Sequence, residues 1–265
     1  MKRIGYSALA YAALVMIALV GTAFATPAPN SAALSLRVFD NCPLSIVTPV
    51  NNYPALISIE DVMNPACVGF ANLHSWSFSE DGGATPSLFV NGSNFRMCAT
   101  VAIDGPGTGE AGLRFGPWWS PLADGKFMIN AESGEIACFG GRLPFYSFTV
   151  NHGLNYVKGT AIYMEMTYLA HGLSAADPAT IQYRLVYNTV TYDSPVLLYN
   201  EGNVGEDPPH GLWGCLHDAM VGGYFQPRAN TGVGLTCTWR DICFENLDVV
   251  PVQNSTWGRM KVLYR

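Results

Sequence analysis

The feature that most constrains the fold is an alternation of apolar and polar residues with a period of two, which recurs along the chain from Leu34 onward. Successive side chains of an extended strand point to opposite faces, so this period predicts β-strands with one buried face. Clusters of Gly, Pro, Asn and Asp interrupt the alternation every several residues and predict turns. The pattern therefore predicts an all-β chain folded as an antiparallel β-sandwich.

Several segments show this alternation clearly. The segment from Phe95 to Ile103 places five apolar residues on one face of a strand. Residues 126–130 and 135–139 are separated by Ala-Glu-Ser-Gly, which predicts a hairpin. Further strands are expected at residues 145–150, 160–168, 180–188, 195–199, 219–225 and 242–250.

The N-terminus has the three parts of a secretory signal peptide. Lys2 and Arg3 supply positive charge, residues 4–20 are predominantly apolar, and Ala23-Phe24-Ala25 supplies small residues at the positions that signal peptidase reads. The alternative is an uncleaved membrane anchor, but the apolar run is shorter than the roughly 20 residues that span a bilayer. We therefore expect cleavage before Thr26 and an extracytoplasmic protein, secreted or at the cell surface, with no membrane span.

The remaining chain divides by composition into three parts. Residues 26–72 are set off by their Pro and Asn content and are interpreted as an N-terminal extension of the sandwich, which itself occupies residues 73–250. Residues 251–265 are interpreted as a tail that adds one strand, with a sorting signal as the alternative. Charged residues make up 13% of the chain and the net charge is −6, which speaks against a nucleic-acid partner.

The seven cysteines indicate disulfides, because export delivers them to an oxidising compartment. We expect Cys42 to pair with Cys67, and Cys237 to pair with Cys243 across a tight turn. Pairing among the other three cysteines stays open, and the odd number leaves at least one thiol free. No C-x-x-C motif or neighbouring histidine cluster accompanies them, so no metal site is expected.

A family resemblance is carried by residues 95–103, 109–115, 124–127 and 133–136, and by the closing segment from Ile242 to Val249. This succession of strands resembles the concanavalin A-like lectin and glucanase superfamily. The resemblance implies a jelly roll of two stacked, curved sheets whose concave face commonly carries carbohydrate, in lectins and glycoside hydrolases alike. A shared fold does not decide between these activities.

Two groups of residues are candidates for a ligand site. Tyr163 and Glu165 share one face of their predicted strand, and Arg184 joins them if the two strands are neighbours. The functional interpretation is a floor for a glycan, and the alternative is an ordinary cross-strand ion pair. Trp118 and Trp119 lie between two prolines, where indole faces would stack on sugar rings; the alternative is that either of them closes the core.

No catalytic signature is evident, and no catalytic residue is assigned. Glycoside hydrolysis needs two carboxylates, but the E-x-D-x-E pattern of the superfamily's retaining glucanases is absent, which leaves a pair from separate strands such as Glu135 and Glu165. No cofactor is expected, although the acidic, Gly-rich segments 80–83 and 104–110 leave calcium open. The leading hypothesis is a non-catalytic carbohydrate-binding protein. A glycoside hydrolase or polysaccharide lyase and a structural cell-surface protein are the alternatives.

Overall fold

A computed structural model describes residues 26–120, 123–140, 143–199, 214, 220–229 and 233–248 of the protein, with the backbone alone for residues 116–120 and 123–124. The expected tail at 251–265 and the expected signal peptide at 1–25 lie outside these residues. Among the described residues no helix is long and apolar enough to cross a membrane.

The described chain is built almost entirely of β-strands with one short helix. In chain order the elements are β1 (Ser31–Asp40), β2 (Ile46–Asn52), β3 (Leu56–Val62), β4 (Asn72–Ser79), β5 (Phe95–Asp104), β6 (Gly109–Ser120), β7 (Ala123–Asn130), β8 (Ile136–Phe139), β9 (Tyr146–Ser147), α1 (Phe148–His152), β10 (Ile162–Leu169), β11 (Thr180–Tyr187), β12 (Val190–Asp193), β13 (Leu197–Leu198), β14 (Gly222–Pro227) and β15 (Gly234–Asn246).

Within the described residues these strands form two antiparallel sheets. One sheet has seven strands in the order β1-β4-β14-β6-β7-β8-β9, and the other has eight, in the order β12-β11-β10-β5-β15-β3-β2 with β13 beside β11. The two sheets stack on a shared apolar core, which confirms the predicted antiparallel β-sandwich. Residues 26–72 contribute β1 to the first sheet and β2 and β3 to the second, so this segment belongs to the same sandwich.

The period-two alternation places the core between the sheets. The inward residues of β10 and β11 are fully or almost fully buried, and so are those of β5. Two indoles, Trp76 from the seven-stranded sheet and Trp239 from the eight-stranded sheet, meet edge to face with ring centroids 6.2 Å apart. The Trp239 ring nitrogen donates to the carbonyl oxygen of Gly112 at 3.0 Å, so its polar atom is satisfied inside the core.

Most expected strands are present, but the segment 145–150 differs from its prediction. The hairpin of β7 and β8 forms as expected, with Met128 opposite Ala137. Only two residues of the 145–150 segment, those of β9, extend the sheet, because Ser147 then caps a helix by accepting a hydrogen bond from the Val150 amide at 3.1 Å. The helix ends after one turn at Gly153, which adopts a left-handed conformation.

One of the two predicted disulfides is present, and the other prediction is wrong. Cys42 is bonded to Cys67, as expected, whereas Cys243 is bonded to Cys98 and leaves Cys237 as a buried free thiol. Cys237 and Cys243 both lie in β15, where an extended chain separates residues six apart by about 20 Å, far beyond the reach of a disulfide. Cys98 instead lies directly opposite Cys243 on β5.

Candidate functional site

The outward face of the seven-stranded sheet carries an unusual number of polar side chains. We call the outward residues of β4, β14, β6 and β7 the seven-strand face: Ser75, Ser77, Gly222, Tyr224, Gln226, Glu110, Gly112, Arg114, Lys126, Met128 and Asn130. They alternate with the core residues of the same strands, such as Leu113 and Phe127. Arg114 and Tyr224 nevertheless keep only 2% and 1% of their surface exposed, so these two side chains are buried although they point away from the core.

The strand register explains how the long side chains of this face fit together. Arg114 has Gly222 as its neighbour on β14 and Lys126 as its neighbour on β7, whereas Tyr224 lies between Ser75 and Gly112. Each long side chain therefore has a glycine beside it. This arrangement lets Arg114 extend over β14 to β4, where its Nη1 donates to the hydroxyl oxygen of Ser75 at 2.8 Å.

The close pairing of the strands requires glycine at positions 112 and 222, in addition to the room that these glycines leave for the long side chains. A Cβ atom at this position would lie 1.9 Å from the carbonyl oxygen of Phe127, and a Cβ atom at Gly222 would lie 2.2 Å from the carbonyl oxygen of Trp76. Both distances are far inside van der Waals contact with backbone atoms that belong to neighbouring strands. Glycine at these two positions is therefore what allows the sheet to pair closely under the polar cluster.

A partly buried ion pair lies at the centre of the seven-strand face. Lys126 Nζ is 2.8 Å from Glu110 Oε1 and donates a second hydrogen bond to Gln226 Oε1 at 3.2 Å. The same ammonium group lies 4.9 Å from the centre of the Tyr224 ring, within the range of a cation–π contact. Three strands thus direct polar groups at one point of the face.

Tyr224 contributes a buried hydroxyl to the cluster. Its hydroxyl is buried and lies near the Glu110 carboxylate, but it forms no hydrogen bond of ordinary geometry to another described residue. Burial raises the pKa of this phenol well above its ordinary value, and the negative charge of Glu110 raises it further. Tyr224 therefore keeps its proton at neutral pH, and a buried hydroxyl without a partner costs stability unless a ligand supplies one.

Apolar residues border the polar cluster on the same side of the sheet. Leu73, Met128 and Ala137 pack with Tyr224, and partly buried residues of β1 and β8 extend this patch: Val38, Phe39 and Phe139. The face therefore combines charged donors and acceptors with an apolar border, which is typical of sites that bind small polar molecules.

The residues that the sequence favoured lie on the opposite side of the molecule. Tyr163, Glu165 and Arg184 project outward from β10 and β11, and we call this surface, with Arg96, Asp193 and Glu245, the eight-strand face. Glu165 and Arg184 are direct register partners, so the two strands are neighbours. Arg184, however, forms its ion pair with Asp193 at 2.6 Å, and Glu165 accepts a hydrogen bond from the Tyr163 hydroxyl at 2.5 Å.

The remaining candidate residues form no second site among the side chains that the structure describes. Trp118 and Trp119 belong to the backbone of β6, but their side chains lie outside the described part of the chain. Glu135 precedes β8 in the seven-stranded sheet and Glu165 lies on the eight-strand face, so these two acids are on different sheets and form no catalytic pair. Among the described residues no group of three or more His, Cys, Asp or Glu residues is placed to hold a metal ion.

A further polar cluster lies between the sheets and has a structural explanation. His74 accepts a hydrogen bond from the Arg37 amide on Nδ1 at 3.1 Å, so its proton is on Nε2, which donates to Asp61 at 2.8 Å. Burial favours the neutral form of Asp61, but hydrogen bonds from His74, Asn72 and Ser45 outweigh it and lower the pKa of this acid. The cluster joins β1, β3 and β4 inside the sandwich.

The sequence contains a partial signal for the seven-strand face. Glu110, Gly112 and Arg114 are separated by two residues each, so the alternation places them on one face of β6. The pairing of Arg114 with Lys126 depends on the register of β6 with β7, and the approach of Tyr224 depends on β14, which comes about a hundred residues later. Sequence alone therefore indicated the face of β6 but not the cluster.

Comparisons with known proteins return similar folds. No model of a protein family matches the sequence, and no curated protein matches it significantly. An alginate lyase from Corynebacterium sp. is 10% identical, with a TM-score of 0.42 over 81% of this chain and 94% of that one. A Lotus tetragonolobus seed lectin is 8% identical (TM-score 0.43; 83% and 96% covered), and a carbohydrate-binding module from Bacillus subtilis is 9% identical (TM-score 0.36; 82% and 98% covered).

These similar structures are jelly-roll sandwiches of the concanavalin A-like fold, the architecture that the sequence resemblance implied. At 8 to 10% identity the likeness is one of fold alone.

Proposed function

We propose that the protein binds carbohydrate on the seven-strand face. The observation that carries this proposal is the cluster of Arg114, Lys126, Glu110 and Gln226 on the strands beside Tyr224, whose buried hydroxyl forms no hydrogen bond of ordinary geometry to another described residue. Sugar hydroxyls both donate and accept hydrogen bonds, so they are matched by a site that offers ammonium, guanidinium, amide, carboxylate and phenol groups together. The apolar border supplies contact for the carbon skeleton of a sugar ring.

The balance of charge in this cluster favours an acidic sugar. Arg114 and Lys126 are direct register partners, and Glu110 is the one acid among the described side chains of the face. The planar guanidinium group of arginine matches the geometry of a carboxylate. We therefore expect glycans that contain uronic acids to bind more tightly than neutral glycans.

Trp118 and Trp119 have a place in this proposal. They follow Arg114 on β6, within five positions along the same strand. Indole rings stack on the apolar faces of sugars, so we expect these residues to extend the binding surface beyond the charged cluster.

A polysaccharide lyase is the second candidate, favoured by Tyr224. In β-elimination a base removes the proton next to the uronate carboxyl group, the bond to the glycosidic oxygen breaks, and this oxygen receives a proton; on this face Glu110 is the candidate base and the protonated phenol of Tyr224 the candidate proton donor. Hydrolysis has less support, because it requires two carboxylates and the described side chains of this face provide Glu110 alone.

The test is calorimetry of the exported protein with a panel of acidic and neutral oligosaccharides. Lys126→Met and Tyr224→Phe should each weaken binding of an acidic oligosaccharide at least about tenfold, which corresponds to about 1.4 kcal/mol. Trp118→Ala and Trp119→Ala should weaken binding of acidic and neutral chains alike. Formation of an unsaturated sugar product, lost in Tyr224→Phe, would establish the lyase.

The rival site on the eight-strand face provides the matched comparison. Tyr163→Phe and Arg184→Met change a phenol and a cation there, as the first pair of variants does on the seven-strand face. The proposal predicts that this second pair leaves the affinity within twofold of the unchanged protein. Loss of binding in the second pair alone would move the site to the eight-strand face and reject the proposal.

A further inference from the structure

A second feature lies at the end of the sandwich where β5, β10 and β15 meet the first described residues. The backbone nitrogen of Thr26 donates to Asp248 Oδ2 at 3.1 Å, and Thr26 keeps only 4% of its surface exposed. The Asp248 carboxylate thus accepts a hydrogen bond from the backbone of a buried residue that lies 222 positions earlier in the chain.

Thr26 and Asp248 are both bonded to a third residue, Asn94. The Asn94 amide nitrogen donates to Thr26 Oγ1 at 3.1 Å, and the Asn94 side chain donates to Asp248 Oδ1 at 2.9 Å. Asn94 in turn accepts a hydrogen bond from the Ala170 amide on its side-chain oxygen at 2.7 Å. The segments before β1, before β5, after β10 and after β15 are therefore connected through these residues.

The sequence independently identifies the same nitrogen. Ala23-Phe24-Ala25 is a signal peptidase motif that places the cut between Ala25 and Thr26. Hydrolysis of that bond adds water, gives Ala25 a carboxylate, and converts the Thr26 amide nitrogen into an α-ammonium group with three donors and a positive charge.

We propose that removal of the signal peptide creates an α-ammonium group at Thr26 that forms a partly buried ion pair with Asp248. Before cleavage Asp248 accepts a hydrogen bond from the neutral amide of Thr26. After cleavage it accepts one from a positively charged ammonium group, and charge-assisted hydrogen bonds are roughly twice as strong as neutral ones. The export step thereby strengthens the connection among the four segments. The mature N-terminus is a structural element of the sandwich, and processing completes it.

The ionisation of Asp248 agrees with this proposal. Partial burial favours its neutral form, but the hydrogen bonds from Thr26 and Asn94 outweigh burial and lower its pKa. The carboxylate is therefore charged at neutral pH and ready to accept a cation. Glu80 also contacts this part of the chain, but it accepts from the Ala28 amide at 2.9 Å and not from the Thr26 nitrogen.

The experiment begins with export of the full-length chain and mass spectrometry of the product. The proposal requires a mature protein that starts at Thr26, and any other start residue overturns it. A second gene inserts Gly-Ser after Ala25, so that cleavage leaves two residues before Thr26 and moves the α-ammonium group away from Asp248.

Thermal unfolding then compares these two proteins in three backgrounds. In the unchanged background the Gly-Ser insertion should lower the midpoint by about 3 to 8 °C, the shift expected when a chain of this size loses one charge-assisted contact. In Asp248→Asn the insertion should lower it by less than a third of that amount. In the control Glu80→Gln the full effect should remain, because Glu80 bonds Ala28.

A second measurement does not depend on stability. The α-amine is labelled by reductive methylation with carbon-13, and its titration is followed by NMR. Its pKa should lie about one unit or more above the ordinary value of about 7.7 to 8.0 in the unchanged protein and in Glu80→Gln, and return to it in Asp248→Asn. An insertion effect of equal size in Asp248→Asn, or an ordinary pKa in the unchanged protein, would contradict the ion pair.

Discussion

The two outward faces of the sandwich hold similar residues in different surroundings. Each has a tyrosine, an acid and a base on neighbouring strands, yet the ion pair of Lys126 and Glu110 keeps 18% and 10% of its side-chain surface exposed, against 44% and 39% for Arg184 and Asp193. On the eight-strand face Arg184 pairs with the exposed Asp193, whereas Glu165 keeps 8% of its surface exposed, as Glu110 does, and accepts a hydrogen bond from the Tyr163 hydroxyl. On the seven-strand face the Lys126–Glu110 pair is more shielded from water than the Arg184–Asp193 pair, and the Tyr224 hydroxyl forms no hydrogen bond of ordinary geometry to another described residue.

This difference separates a structural surface from a candidate site. Exposed ion pairs form and break at little cost, so they need no ligand to account for them. Buried charges carry a desolvation penalty of several kcal/mol each, which their mutual attraction only partly offsets. A face that keeps such charges beside an unbonded hydroxyl is better explained by a ligand that completes its hydrogen bonds.

Gly112→Ala should have the largest effect on this comparison. The added Cβ would lie 1.9 Å from the Phe127 carbonyl oxygen, so β6 and β7 must separate beneath the polar cluster. We expect a loss of about 3 kcal/mol or more in the free energy of unfolding, measured by urea denaturation. The eight-strand face has no glycine in β5, β10 or β11, so its polar residues depend on no such close approach.

Gly92→Ala is the control for this substitution. A Cβ atom at Gly92 meets nothing within 4 Å, so the change should alter the free energy of unfolding by less than about 0.5 kcal/mol. Equal effects at the two glycines would mean that the close strand pairing under the seven-strand face is not what holds the cluster.

Lys126→Met should have the next largest effect on stability. It leaves Glu110 buried without its cation, and Gln226 without its donor, while keeping the aliphatic length of the side chain. Because the pair is buried but not fully, we expect a loss of about 2 kcal/mol in urea denaturation. Adding Glu110→Leu should recover part of the loss, because the second change removes the unpaired charge; no recovery would mean that Lys126 acts through packing alone.

The alternation in the sequence was enough to predict the two sheets, because burial of one face is a local property of each strand. It correctly separated Met164 and Met166 from Glu165, and it placed Glu165 and Arg184 on one face. It did not predict the ion pair of Arg184 with Asp193. That pair depends on β12 folding back beside β11 through a turn at Asn188 and Thr189, both of which have positive φ.

The candidate site was beyond prediction for a different physical reason. An outward side chain can be buried when the residues beside it on neighbouring strands are small enough to leave room for it. Here Gly112 lies beside Tyr224 and Gly222 lies beside Arg114. Cys243 illustrates the same limit, because its partner Cys98 is 145 positions away and is found through the register of β5 with β15. Both features are set by long-range register, which a single sequence does not specify.

Tyr224→Phe should change the pH dependence of stability more than stability itself. The folded pKa of Tyr224 is raised, so its contribution is fully present below the unfolded value of about 10 and is lost as the pH rises above it. Above about pH 10 the unchanged protein should therefore lose up to about 1.4 kcal/mol more per pH unit than Tyr224→Phe. Urea denaturation at several alkaline pH values measures this slope.

Tyr163→Phe offers the comparison on the eight-strand face. Burial and the hydrogen bond to Glu165 raise the pKa of Tyr163 to about 12, so its effect has the same sign but ends near that pH. Its ring is partly exposed, which weakens the effect. If Tyr163→Phe reduced the loss of stability per pH unit above pH 10 more than Tyr224→Phe does, the more buried phenol would not be the one on the seven-strand face.

Arg184→Met should have the smallest effect. Its bond to Asp193 is solvent-exposed, so the loss in the free energy of unfolding at neutral pH should be about 0.2 to 1 kcal/mol. The hydrogen bond and charge of Arg184 lower the pKa of Asp193, so this contribution is present above the unfolded value of about 3.9 and disappears as the pH falls through the folded pKa. Urea denaturation should therefore show a difference between Arg184→Met and the unchanged protein at pH 7 that closes in acid. A loss as large as that of Lys126→Met would mean that the two faces do not differ in the way their exposure indicates, and the argument for a ligand at the seven-strand face would lose its physical basis.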